Sequence, residues 1–284
     1  MARILIAGCG YVGSALGALL VAESDTVWGL RRRPASLPPG IHRFEADLSV
    51  PTSLRDLPVD IDYVVYAVSP AGYDDAHYRA AYVDGPRRLF EAFDRQRLRP
   101  RHMFFVSSTS VYSQCDGGWV DETSPTEPEG FSGQRVLEGE RAVRELPCPV
   151  TVLRLGGIYG PRRTRLIDRV RAGSALYSAG PPRYTNRIHR DDCAGALRHL
   201  IRLPEPEDLY LGVDSEPSEE ANMLRWLAGA LGAPPPRLRP DGEARSVRAG
   251  SNKRCRNERL LASGYTFRYP TFREGYAAVL SEMY

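Results

Sequence analysis

Short, continuously apolar runs alternate with longer amphipathic stretches through the first half of the chain. The runs Ile4–Ala7, Thr26–Leu30, Tyr63–Val68, Met103–Ser107 and Thr151–Leu155 are apolar at nearly every position rather than at every second one. That is the pattern of parallel strands covered on both faces. Between them, Ser14–Ala22, Tyr78–Arg95 and Gln134–Leu146 carry apolar residues at helical spacing. Strands separated by helices predict an α/β fold with a doubly wound parallel sheet of Rossmann type. Right-handed crossovers then place every strand C-terminus on one edge, where a ligand must sit.

Past about Gly156 the pattern loosens. Prolines recur (Pro181-Pro182, Pro204, Pro206, Pro217, Pro234-Pro235-Pro236) and the apolar runs shorten. Glu219–Leu231 and Phe272–Met283 still read as helices. Residues 156–284 therefore predict a small C-terminal substrate-binding subdomain, set against a dinucleotide-binding core of residues 1–155. The segment from about 186 to 204 is expected to rejoin that core through Ile188–Arg202.

Composition narrows the function classes. With 42% hydrophobic and 26% charged residues in 284, a well-buried core is expected and disorder is not. A net charge of +3 is too slight to make nucleic acid or a membrane surface the main partner. Lys253 is the only lysine among 38 basic residues. The five cysteines lie far apart and the five histidines form no ligand pattern, so neither a disulfide framework nor a metal is expected. No signal segment opens the chain and no apolar run nears the roughly 20 residues of a membrane span, so a cytoplasmic protein is expected.

The sharpest motif is the first. Ile4-Leu5-Ile6-Ala7 runs into Gly8-Cys9-Gly10-Tyr11-Val12-Gly13, a strand entering a G-x-G-x-x-G turn that opens a helix. Gly8 permits the tight turn, Gly10 lets backbone approach a pyrophosphate, and Gly13 allows close helix–strand packing. The free N–H groups at the helix start, from Tyr11 and Val12 onward, suit phosphates. The next strand ends in Arg31-Arg32-Arg33, where NAD-binding domains usually carry an acid for the ribose hydroxyls. Arginine there would instead pair with a 2′-phosphate, so NADP(H) is the expected cofactor and NAD(H) the alternative. Asp47 and Leu48 would meet the adenine.

Four later segments, in order, resemble the extended short-chain dehydrogenase/reductase family of NAD-dependent epimerase/dehydratase type. They are Phe105-Val106-Ser107-Ser108-Thr109-Ser110-Val111-Tyr112, Val120-Asp121-Glu122-Thr123-Ser124-Pro125, Leu153 to Pro161 (LRLGGIYGP), and Ile188-His189-Arg190-Asp191-Asp192-Cys193-Ala194. With the glycine turn they span most of the chain. The resemblance implies a Rossmann core and a substrate part with a cleft between them. It implies that Ser108 is the catalytic serine, that Ser107 lies beside the cofactor, and that Ala67-Val68-Ser69 line the nicotinamide side. It also implies a homodimer in which the Tyr78–Arg95 and Gln134–Leu146 helices pair; Leu89, Phe90 and Phe93 would supply the apolar contact or else pack on the chain's own sheet.

One departure matters. Active members of that family carry Y-x-x-x-K on the helix after the serine segment. Here one register puts Phe131 and Arg135 in those places, and a shift by one puts Ser132 and Val136 there. Neither register holds a phenol or a lysine. Arg135 is too basic to exchange protons near neutrality, although it could bond a ribose hydroxyl. The acids left to replace the phenol are Tyr73, Tyr82, Tyr177, Tyr184 and His189, with Tyr82 foremost because the family usually has asparagine there. The expected function is an NADP(H)-dependent reductase of atypical type. A sugar-nucleotide epimerase or dehydratase is the first alternative, and a non-catalytic NADP(H)-binding regulatory protein the second.

Overall fold

The structure is a computed structural model and describes residues 1–240 and 252–283. Seven strands form one sheet: β1 (Arg3–Ala7), β2 (Thr26–Arg31), β3 (His42–Glu45), β4 (Tyr63–Tyr66), β5 (His102–Ser108), β6 (Val150–Leu155) and β7 (Leu209–Gly212). Every neighbouring pair is parallel, in the order β7-β6-β5-β4-β1-β2-β3. The chain steps outward from β1 to β3, then restarts at β4 on the other side of β1. That reversal leaves a crevice at the strand C-termini between β1 and β4.

The helices in chain order are α1 (Tyr11–Ala22), α2 (Asp75–Arg79), α3 (Gly85–Arg95), α4 (Phe131–Arg144), α5 (Arg165–Arg171), α6 (Arg190–Arg202), α7 (Glu220–Leu231), α8 (Glu258–Ala262) and α9 (Phe272–Ser281). Successive strand residues point to opposite faces, so an unbroken apolar run feeds two cores at once. Ile4 and Ile6 pack under Leu16 and Leu20 of α1 and Cys193, Leu197 and Leu200 of α6. Leu5 and Ala7 join Val64, Phe105, and Leu89, Phe90 and Phe93 of α3 on the other face. A third cluster gathers Ile167, Met223, Leu227, Phe272 and Val279 from α5, α7 and α9. Leu89, Phe90 and Phe93, the expected contact with a second copy, are buried in the chain's own core.

The predicted helix Tyr78–Arg95 is in fact interrupted. Residues Ala80–Asp84 form a π-helical turn between α2 and α3. Pro86 causes it: proline has no N–H for the carbonyl four residues back, and its ring collides with that carbonyl in a regular α-helix. In the π register the Gly85 N–H reaches back to the Ala80 carbonyl, and the Tyr66 hydroxyl donates to the Ala81 carbonyl at 2.6 Å. Both α1 and α4 begin three residues earlier than their apolar spacing suggests, at Tyr11 and Phe131. The apolar pattern does not predict β7, because its four buried residues follow closely on Pro204 and Pro206. Among the described residues no helix is long and apolar enough to cross a membrane.

His189 ends a short strand beside the sheet and caps α6, its Nδ1 accepting the Asp191 N–H at 3.2 Å. Its imidazole is buried between the rings of Tyr159 and Tyr269, and burial pulls its pKa down to about 4, against a smaller opposing pull from Asp191. The unfolded chain therefore binds a proton here that the folded chain refuses. The resulting stability is complete above about pH 6.5 and is lost as pH falls toward about 4. We expect a loss approaching ~1.4 kcal/mol per pH unit in that window. His189→Asn keeps a capping acceptor and should flatten the slope of thermal midpoint against pH between 7 and 5. An unchanged slope would exclude His189 as its source.

Candidate cofactor cleft and active site

Gly8 adopts a left-handed φ of 81°, and a side chain there would lie 2.6 Å from the backbone of Ala67 and Val68. Only glycine lets β1 turn this tightly against β4. The Gly8 and Cys9 N–H groups both donate to the Leu30 carbonyl, at 3.0 and 3.1 Å, which ties the turn to β2. At Gly10 a Cβ would meet nothing closer than 3.8 Å, so this position opens onto the crevice. No side chain caps α1 and its first turn holds no acid. Its leading N–H groups and positive dipole end thus face the cleft. Gly13 lies inside the helix, off the cleft wall, where a Cβ would press on Gly8 and Ile6 at 2.9 Å.

The cleft has a volume of about 1040 Å³, at the upper end for small-molecule sites, so an extended ligand fits it. Gly8, Gly10, Tyr11, Val12, Arg31, Arg32, Asp47, Leu48, Ala67, Val68, Ser69, Ser107, Ser108 and Tyr82 all line it. At one end the Arg31 guanidinium reaches back to the Cys9 carbonyl at 3.4 Å. The Asp47 carboxylate accepts from the Ser49 hydroxyl and N–H at 2.7 and 2.8 Å. Those bonds hold its pKa below the usual carboxylate value, with Arg32 adding to the effect. The β2 end therefore presents Arg31, Arg32 and Arg33 to the cleft and no carboxylate of its own. The open turn, the uncapped helix and this cationic end fit a nicotinamide dinucleotide: α1 would hold its pyrophosphate and residues 31–33 its adenosine ribose.

At the other end, Ser108 closes β5. Its Oγ accepts the Ser110 N–H at 3.1 Å, which leaves its proton free to donate. Ser107 points the opposite way and is buried. Its hydroxyl donates to Glu140 of α4 at 2.5 Å, so only its backbone can serve a cofactor. Glu140 in turn holds Arg154 of β6 through two bonds, at 2.9 and 2.7 Å, and Arg154 donates to the Tyr112 hydroxyl at 2.8 Å. This buried network locks the β5 end to α4 and β6. The π-turn brings Tyr82 to the cleft wall, its ring against Tyr78 and Phe105. Burial pushes the Tyr82 phenol up to about 12.

No residue of α4 lines the cleft. Phe131 packs on Tyr73 and Tyr78, with ring centres 5.2 and 5.5 Å apart. Val136 is in the core with Val111 and Tyr112. Arg135 corrects an expectation, for its guanidinium does not reach the cofactor side. It is bound through two bonds by Asp75 of α2, at 2.8 and 2.9 Å, and by Glu138 at 2.5 Å. Neither register thus supplies a proton-transfer pair. Of the other candidate acids, Tyr73, Tyr177, Tyr184 and His189 also lie off the cleft wall. Restoring the phenol by Phe131→Tyr should change NADPH affinity and turnover by less than about twofold, as for a substitution away from the site. A clear gain in turnover would show that α4 swings into the cleft. Leu155 and Ile158, from the Leu153 to Pro161 segment, line the cleft too, as does Arg163, which no motif marks for it. Among the described residues no three His, Cys, Asp or Glu side chains converge as metal ligands.

Comparisons with known proteins bear on this geometry. Residues 4–211 match the model of the NAD dependent epimerase/dehydratase family. A 3-diazoavenalumate denitrifying reductase from a Streptomyces species is 31% identical over 314 positions, covering 96% of this chain and 98% of that protein. The structure of an NAD-dependent epimerase/dehydratase-type protein from Methylobacillus flagellatus is 38% identical with a TM-score of 0.80, over 99% of this chain and 98% of that one. A human epimerase family protein solved with NADPH shares the fold, with a TM-score of 0.82 at 20% identity over 98% and 99% of the two chains. The glycine turn, the sheet order and the match along most of its length agree, and the chain belongs to the NAD-dependent epimerase/dehydratase family of extended short-chain dehydrogenases/reductases.

Proposed function

We propose that this protein is an NADP(H)-dependent reductase of a small-molecule substrate, working without the family's tyrosine–lysine pair. The observation that carries the cofactor choice is the end of β2, where three arginines and no carboxylate face the cleft. A carboxylate there would bond ribose hydroxyls and repel a 2′-phosphate, whereas a guanidinium fork binds that phosphate.

The direction of reaction follows from the hydroxyls at the other end. When bound, the reduced cofactor supplies hydride. Ser108 and Tyr82, which both line the cleft, would meet the reacting group. A phenol held near 12 is neutral at physiological pH, so it donates a hydrogen bond and makes a poor base. That suits an oxygen or nitrogen gaining negative charge during reduction, which the Ser108 proton would also stabilise. Oxidising an alcohol, the opening step of sugar epimerisation, needs a base, and neither the Ser108 hydroxyl nor the neutral Tyr82 phenol is one. The reductase named in the Streptomyces relative supports the same reading.

The test is to titrate the protein with NADPH and NADH by nicotinamide fluorescence, then to follow NADPH consumption on panels of carbonyl, enone, imine and diazo compounds. Consumption with a matching reduced product supports the proposal. Turnover of a sugar nucleotide with no net change in cofactor would favour an epimerase. Tight NADPH binding with no turnover on any panel would favour a regulatory protein.

A further inference from the structure

The strap that follows Ile158 carries a cation with no part in the reaction proposed so far. Arg163 lines the cleft, its guanidinium 4.2 Å from the centre of the Tyr11 ring, and it donates to the Ile158 carbonyl at 3.1 Å. Tyr11 is the first residue of α1, and its hydroxyl donates to the Pro161 carbonyl at 2.8 Å. Ring and hydroxyl together tie the strap to the glycine turn. The backbone is committed to this path: Gly160 has a φ of 139°, and Arg162 takes a left-handed φ of 65°, seldom adopted by a residue with a side chain. At Gly160 a Cβ would lie 3.0 Å from the Tyr11 hydroxyl and 3.1 Å from His189 Nε2.

Two guanidinium groups flank Tyr11, and they differ in one respect. Arg190, 5.4 Å from the ring centre, is ion-paired with Asp191 at 2.7 Å. Arg163 has no carboxylate partner among the described residues, and the acceptor it does have is a backbone carbonyl. An arginine stacked on an aromatic ring loses little freedom when it meets an anion, and most of its donors are still available. The ring it stacks on opens α1, where a pyrophosphate is expected.

We propose that Arg163 is a cofactor-binding residue that joins the α1 N–H groups in holding the dinucleotide's pyrophosphate, with Tyr11 as its platform. This rests on the nucleotide reading of the cleft. It assigns Arg163 a ligand group distinct from the 2′-phosphate given to Arg31 and Arg32.

Three probes separate the possibilities when bound to wild-type protein, Arg163→Ala and Arg163→Lys. NADPH carries both phosphate groups, ADP-ribose carries only the pyrophosphate, and adenosine 2′-monophosphate only the 2′-phosphate. Arg163→Ala should weaken NADPH and ADP-ribose by a similar factor, about 10- to 100-fold, the range of a charge-assisted hydrogen bond. It should leave adenosine 2′-monophosphate and the thermal midpoint unchanged, and Arg163→Lys should recover part of the loss. ADP-ribose bound by Arg163→Ala as tightly as by wild type overturns the proposal. A rise in substrate KM with unchanged ADP-ribose binding overturns it too, by giving the guanidinium to the substrate. If wild type binds none of the three probes, the nucleotide reading falls first and this inference with it.

Discussion

Replacing Arg31 and Arg32 together with alanine is expected to weaken NADPH binding far more than NADH binding. Both side chains line the same end of the cleft, and Arg31 is already held over the glycine turn by the Cys9 carbonyl. Arg31 spends one N–H on that carbonyl and Arg32 lies near the Asp47 carboxylate, so most of their donors are left for a 2′-phosphate. Removing each good charge-assisted hydrogen bond should cost about 1.5–3 kcal/mol. NADH lacks the phosphate and should lose only the weak general attraction of two nearby charges. The difference should shrink as salt is raised, because these groups are solvent-facing and screened. Fluorescence titration of both cofactors at low and high ionic strength measures it. Equal weakening of the two would remove the case for NADP(H).

The second large effect is at Ser108. Its Oγ caps the turn Thr109–Val111 by accepting the Ser110 N–H, so the hydroxyl serves structure through a lone pair and keeps its proton to donate. Ser108→Ala should lower kcat by about 100-fold or more while cofactor affinity holds, as when an oxyanion donor is removed. Ser108→Thr keeps a hydroxyl and should retain much of the rate. Tyr82→Phe removes the other donor, and a double-mutant cycle with Ser108→Ala tells whether both act on one atom. A strong coupling places them on the same oxygen or nitrogen. Wild-type turnover by Ser108→Ala would leave this serine as a cap and nothing more.

Much of this is legible in one dimension because the signals are local. Gly8, Gly10 and Gly13 follow an apolar strand at fixed spacing, and the apolar runs of β1, β2, β5 and β6 are long enough to stand out. The arginines at 31–33 follow the motif at fixed spacing, so the cationic end of the cleft can be read before any coordinates. Pro86 is just as visible, and it marks the π-turn that turns Tyr82 to the cleft. The apolar spacing on either side of it continues in register, which hides the interruption.

What the sequence by itself determined is therefore the layered sheet, the glycine turn and the cofactor end of the cleft, where each residue's role depends on its neighbours in the chain. Only the tertiary structure decided the rest. Arg135 is a ribose candidate by position, but Asp75, 60 positions away, holds it. Ser107 is expected beside the cofactor by position, but Glu140 of α4, 33 positions on, claims its hydroxyl. Arg163 stands in no motif, and it matters only because Tyr11, 150 positions from Pro161, ties its strap to the glycine turn. A charged or polar side chain takes the strongest partner within reach, and reach across a folded chain is set by packing rather than by spacing along it.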